Sequence, residues 1–259
     1  MRENDPGTIQ VIDADDRTAL LDIVAGNGQA WPVIWPKTGA TLRSFHRISL
    51  ASGGATKLLN HPAEASYYVL GGKGQVRNAD ETFDLFEGSM IHIEPRTNYL
   101  FVADGGLELI GGPCPTDPAI YSGPATSEAQ KSAGRIRMFH RDDPGVQVPL
   151  ISRDARLIIW LGAGSETANL NFVKIQPGEG NVPHIHAESE DTIYILEGRG
   201  TVADFDHDLR LDFGPGQVIH VPVGVRHAVY ADKGERVVSV GGPAPADRGM
   251  LRAAGLYPR

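Results

Sequence analysis

Apolar residues in this chain fall in short runs that turn-forming residues interrupt every few positions. The runs IQVI at 9–12, ALLDIV at 19–24, RLIIWL at 156–161 and FVKI at 172–175 are each of strand length. Between such runs stand PG at 177–178, GPG at 214–216 and PVG at 222–224. Proline withholds a ladder N–H and glycine supplies turn geometry, so this punctuation ends strands. No helix-length stretch repeats its apolar positions every 3.6 residues. The pattern predicts an all-β chain of antiparallel strands closed into jelly rolls. Within residues 1–30 the apolar clusters read as strands added to the edge of a neighbouring sheet or of another subunit, and the pattern leaves both open.

The strand pattern occurs twice. YVLGGKGQV at 68–76 matches YILEGRGTV at 194–202, GSMIHI at 88–93 matches GQVIHV at 216–221, and IGGPCP at 110–115 matches VGGPAP at 240–245. Trp35 likewise matches Trp160, and the offset drifts only from 125 to 130, so the matches are collinear. This is the signature of an internal duplication. The small, polar stretch at 122–134 has the composition of a linker, which places one domain at 1–125 and a second at 126–259.

Composition agrees with many strands and turns, with 31 glycines and 18 prolines in 259 residues and no collagen-like period. A formal charge of −8 without a basic stripe argues against nucleic acid or an anionic membrane as partner. The first residues are polar and acidic, and no apolar run reaches 18 residues, so a cytoplasmic protein is expected. A lone Cys114 excludes an internal disulfide framework and a cysteine-rich zinc site.

Candidate chemistry is concentrated at 178–198, GEGNVPHIHAESEDTIYILEG. His184 and His186 are one residue apart, and in extended backbone residues i and i+2 share a face, so both imidazoles can reach one point. Acids follow at Glu188, Glu190 and Asp191. Further on, Gly216, Pro222, Gly224 and His227 form a second spaced set. Together the two stretches resemble the two motifs of the cupin superfamily, and the duplication makes the whole chain resemble a bicupin. The resemblance implies two tandem double-stranded β-helix barrels, with a divalent metal in the second held by His184, His186, Asp191 and His227. Asp191 stands where the family usually has Glu. Neighbouring Glu190 competes for the role, but only Asp191 keeps the six-residue spacing to Gly198.

Laid over the second half, the first half places Leu58 opposite His184, Asn60 opposite His186, Ala65 opposite Asp191 and Tyr99 opposite His227. On that alignment all four ligands are lost and the first barrel is metal-free. His220 matches His92 and Tyr194 matches Tyr68, which favours shared structural roles. His46, His61, His140 and His207 read as surface or hydrogen-bonding residues, and Cys114 as a small filler facing Ala244.

Three imidazoles and one carboxylate suit one Fe, Mn, Ni, Co or Zn ion per chain, with open positions for a small oxygen-rich ligand. The resemblance implies first a dioxygenase. A redox-neutral isomerase, lyase or decarboxylase follows, with Glu190 and His220 as the nearby candidates for moving a proton. A non-catalytic small-molecule binder is the third class. A homodimer is expected at family level only.

Overall fold

The structure, a computed structural model, describes residues 7–122 and 133–257. The boundary at 125 and most of the linker at 122–134 lie outside the described residues. What is described is almost entirely strand, folded into two jelly-roll barrels. The first is built on a sheet ordered Ile136–His140, Ser89–Ile93, Glu64–Arg77, Leu100–Cys114, Phe45–Ala51, Gly28–Ile34. The sheet of the second runs Gln10–Asp13, Gln217–Val221, Glu190–Glu197, Val237–Ala244, Leu170–Ile175, Asp154–Ile159, Val146–Gln147. A three-stranded sheet of Leu209–Phe213, Gly200–Asp204 and His227–Ala231 forms its other wall.

Each sheet contains a strand from the other half. Gln10–Asp13 pairs antiparallel with Gln217–Val221, Gln10 lying opposite His220. Reciprocally, Ile136–His140 pairs with Ser89–Ile93, Arg137 lying opposite His92. The edge strand read from residues 9–12 therefore joins a sheet of the same chain. A cut at residue 125 would separate both strands from the sheets they complete.

Strand alternation divides the apolar residues between two kinds of core. Tyr67 points into the first barrel with Tyr99, Phe101 and Leu109, and Ile193 into the second with Val202, Val229 and Ile219. Their neighbours Tyr68 and Tyr194 face the opposite way, into a shared core with Trp31, Phe45, Ile159, Leu170 and Val240. The halves are thus joined by a buried hydrophobic core of their own. Cys114 fills a small contact beside Ala168 and Ala244, and burial pushes its thiol up to about 11.

Two buried carboxylates tie the halves together. Glu64 accepts hydrogen bonds from the amides of Glu166 (3.0 Å), Thr167 (2.7 Å) and Ala168 (3.0 Å) and from the hydroxyls of Ser165 and Thr167. Burial alone would raise its pKa, but His92 and these amides outweigh it and hold the group at about 2. Glu190 does the same from the second half, accepting from the amides of Thr41 (2.8 Å) and Leu42 (3.1 Å) and from the Thr41 hydroxyl. His92 stands 3.6 Å from Glu64, and His220 stands 3.7 Å from Glu190.

Candidate metal centre

Three of the sequence-selected residues converge at one end of the second barrel. The donor nitrogens of His184, His186 and His227 lie within 4.8 Å of one another, the one such group of three or more metal-ligating side chains among the described residues. A backbone bridge between His184 and His227 pins the loop carrying the first two histidines to the strand carrying the third. Asp191, on strand Glu190–Glu197, faces the same interior, its Oδ2 3.6 Å from His186 Nε2 and 3.7 Å from His227 Nε2. It is 6 % exposed.

Each imidazole is oriented by its outer nitrogen. His184 Nδ1 donates to the Val182 carbonyl (2.9 Å), His227 Nδ1 to the Val225 carbonyl (3.1 Å) and His186 Nδ1 to Asp247 Oδ2 (2.6 Å). These contacts turn each Nε2 inward, the orientation that a metal-ligating histidine needs. His186 Nε2, His227 Nε2 and Asp191 Oδ1 are all buried with no hydrogen-bond partner. Orphaned buried polar atoms are costly. Three on neighbouring residues of this cluster, all of metal-ligating chemistry, fit a divalent transition metal.

Electrostatics of the cluster follow from the same contacts. Burial, together with the two neighbouring histidines, pulls His184 down to about 4. For His186 burial pulls the same way, but Asp191 and Asp247 outweigh it and raise the group to about 9. Burial opposes ionisation of Asp191, yet its contacts with His186 and His227 keep the carboxyl far below the usual range.

Glu190 and His220 stand elsewhere. Glu190 precedes Asp191 on the strand and so points to the other face, where its carboxylate is occupied by Thr41 and Leu42. His220 shares that face. Their counterparts Glu64 and His92 make the same arrangement in the half without the histidine cluster, so the pair follows the interface rather than the chamber.

The cluster opens into a chamber of about 50 Å³ lined by Asn171, Val173, Ile175, Asn181, Ile193, Val229, Ser239 and the Gly241–Gly242 backbone. A Cβ on Gly242 would collide with the Asn171 carboxamide, so glycine makes room for that side chain. Asn171 Oδ1 is buried without a partner. Behind this wall the fully buried Arg43, from the first half, donates to the carbonyls of Asn169 (2.6 Å) and Gly242 (3.2 Å). Outside lies a wider mouth of about 880 Å³, bordered by Leu150, Val182, Ile185 and Arg252. Ile151, His184 and Met250 border both spaces and mark the passage between them.

A family model described as a cupin domain matches residues 171–240. This stretch contains all four proposed ligands. Residues 171–240 belong to the cupin family. L-ectoine synthase of Rhodococcus opacus (strain B4) is 26% identical over 107 residues, 41% of this chain and 78% of that protein. Among solved structures, the protein Ylba from E. coli is similar over 93% of both chains, with a TM-score of 0.69 and 16% identity. A mutant of Bacillus subtilis oxalate decarboxylase is similar over 92% of this chain and 77% of its own, with a TM-score of 0.65 and 17% identity. Procruciferin, an 11S globulin from Brassica napus, reaches a TM-score of 0.67 at 11% identity, covering 93% of this chain and 86% of its own. The double-barrel cupin architecture is therefore common to an enzyme and a globulin, and the cupin fold alone does not name an activity. No helix among the described residues is long and apolar enough to cross a membrane.

In the first barrel the structure shifts the sequence alignment by one residue. The bridge Leu59–Tyr99 is the counterpart of His184–His227. Likewise, the Arg96 amide bonds the His61 carbonyl as the Gly224 amide bonds that of His186. Leu59, not Leu58, therefore corresponds to His184, and His61, not Asn60, to His186. The cause is the turn that follows, where His186 and Glu190 are separated by one residue more than His61 and Glu64. Three of the proposed ligand positions hold other residues in this barrel, Leu59, Ala65 and Tyr99, and one histidine is kept. His61 Nδ1 bonds Asp117 Oδ2 (2.8 Å), just as His186 bonds Asp247. The fully buried His46, assigned from sequence to the surface or a hydrogen bond, has its Nε2 2.7 Å from the Tyr121 hydroxyl inside the barrel. His140, at the end of the strand Ile136–His140, is bonded to the Glu87 carbonyl, and His207, in a turn, to Asp204.

Asp247 is the residue that sequence reasoning missed. Its signal was present in the repeat: extending the matched stretches two residues gives IGGPCPTD at 110–117 and VGGPAPAD at 240–247, with aspartate closing both.

Proposed function

We propose that the chain is a metal-dependent enzyme whose second barrel takes a small oxygen-rich molecule and transforms it without net redox change, as a lyase, decarboxylase or isomerase does. The observation that carries this reading is the convergence of His184, His186 and His227, with Asp191 beside them and buried, unpartnered donor atoms on His186, His227 and Asp191. A divalent metal there supplies Lewis acidity toward a chelated carbonyl or carboxylate. Asp247 and the Val182 and Val225 carbonyls hold the three imidazoles in the ligating orientation. Asn171, Asn181 and Ser239 offer hydrogen bonds to the far end of a ligand, while Val173, Ile175, Ile193 and Val229 exclude water. The chamber volume suits a molecule of a few heavy atoms.

The titratable side chains lining the chamber are the proposed ligands themselves. A reaction needing charge stabilisation rather than a separate protein base suits such a lining, and loss of carbon dioxide from a carboxylate is one, the electron pair left on carbon taking its proton from solvent. The names of two similar proteins, oxalate decarboxylase and L-ectoine synthase, point the same way. We read Glu190 and His220 as interface residues, not as the proton carriers of this reaction. The apolar chamber walls also favour a second reading, an oxygenase, since they would admit dioxygen.

The test is to load the purified chain with Mn, Fe or Co and follow carbon dioxide release and oxygen uptake on small carboxylates, diketones and phenols. Turnover without oxygen is expected. Turnover that requires both iron and oxygen would replace this reading with the oxygenase, and saturable binding without turnover would replace both with a binding protein.

A further inference from the structure

Asp247 makes two hydrogen bonds with two different oxygens. Oδ2 holds His186 Nδ1 at 2.6 Å, and Oδ1 accepts from the Met250 amide at 2.8 Å as the N-cap of α1 (Arg248–Ala253), the single α-helix among the described residues. One half-buried carboxylate thus joins a proposed metal ligand to the element beside the chamber. Met250, in the first turn of α1, borders both the chamber and the outer mouth, together with Ile151. Leu251, 3 % exposed, anchors the helix among Val148, Leu157 and Ala246.

The first barrel shows what this tie does without the ligand set. Asp117 bonds His61 and caps the 3-10 turn Pro118–Tyr121 through the Ala119 amide (3.1 Å), and Tyr121 then reaches His46 inside the barrel. The His–Asp tie docks the segment that closes the barrel end in both halves. Only in the second is the same imidazole also one of three histidines around a shared point.

We propose that Asp247 is a positioning residue that couples metal binding at His186 to closure of α1 over the chamber. The inference rests on the metal-site reading above. A metal on His186 Nε2 fixes the ring with its Nδ1–H toward Asp247, which favours the capped, docked helix. By linkage, undocking α1 weakens the metal site by the same factor. Removing an outer carboxylate of this kind typically weakens metal affinity by about 10–100-fold.

The experiment uses the full chain, stripped with chelator and reloaded with Co(II), and reads three quantities: Co(II) affinity, the visible spectrum of the bound ion, and hydrogen exchange of the 248–254 amides. In the wild type, loading is expected to slow exchange in α1. Asp247→Ala is expected to lose about 10–100-fold in affinity, to alter the spectrum and to abolish the loading-dependent protection, with Asp247→Glu restoring part of each. Asp117→Ala, which cuts the equivalent tie in the first barrel, is expected to leave Co(II) affinity unchanged. A wild type that binds Co(II) with no change in α1 exchange would overturn the coupling alone, whether or not the variants fold. So would native affinity and spectrum in Asp247→Ala. A wild type that binds no Co(II) would overturn the metal-site reading, and this inference with it.

Discussion

The two barrels share strand order, a glutamate–histidine interface pair and a histidine–aspartate tie, and differ in what fills them. In the first, Tyr67, Tyr99 and Phe101 pack together, the Tyr67 and Tyr99 hydroxyls bond at 2.7 Å, and Tyr121 reaches His46. At the corresponding places the second has Ile193, His227, Val229 and Asn171, and a chamber remains. The difference teaches that a site in this fold needs volume removed as well as ligands supplied. Restoring histidines at Leu59 and Tyr99 would leave Ala65 where Asp191 stands and Tyr67 where Ile193 stands.

The largest effect that could break the comparison is loss of metal from the second barrel. His227→Ala removes one of three imidazoles and is expected to take bound metal from about one ion per chain to near zero, measured by elemental analysis after loading and desalting. Retention of the ion would place it elsewhere.

Next in size is the interface that the barrels share. Glu64→Ala leaves the buried Ala168 amide and Ser165 hydroxyl and the part-buried Thr167 amide without their acceptor and is expected to cost about 3 kcal/mol or more, since each orphaned group costs about 1–3 kcal/mol. Denaturant unfolding reads this, and Glu190→Ala should behave alike while keeping the metal. The depressed pKa of Glu64 also sets a pH window. Its contribution is present above the unfolded value of 4.5 and is lost as pH falls through about 2. Wild-type stability should therefore decline across that interval more steeply than that of Glu64→Gln.

A smaller effect concerns metal affinity and pH. Without metal, His186 keeps its proton up to about 9, and a ligating imidazole must give that proton up. Apparent affinity should rise with pH, by up to about tenfold per unit, and level off near that value. Calorimetry in buffers of different ionisation enthalpy should show about one proton released per metal at neutral pH. The smallest effect is expected from Tyr121→Phe, which leaves buried His46 Nε2 unpaired for about 1–3 kcal/mol and does not change metal content.

Much of this was legible in sequence because periodicity and repeats report local geometry. The short apolar runs gave strands, the three matched stretches gave two barrels, and the spacing of His184, His186, Asp191 and His227 selected residues that do face one interior. What was not legible depended on partners distant in sequence. The runs at 9–12 and 136–140 carry the same pattern whichever half they pair with, so the exchange of strands left no local mark. The one-residue shift to Leu59 and His61 arose in a turn, where no strand period constrains the count. Asp247 lies 61 residues from His186, and only the duplicated aspartate at 117 marks it.

The central claim is that the second barrel binds a metal and the first does not. Anomalous diffraction at the metal edge, from a crystal of the loaded chain, tests it most directly. One peak per chain is expected, surrounded by His184, His186, His227 and Asp191. A peak beside His61 in the first barrel, or none at the four residues, would contradict the account.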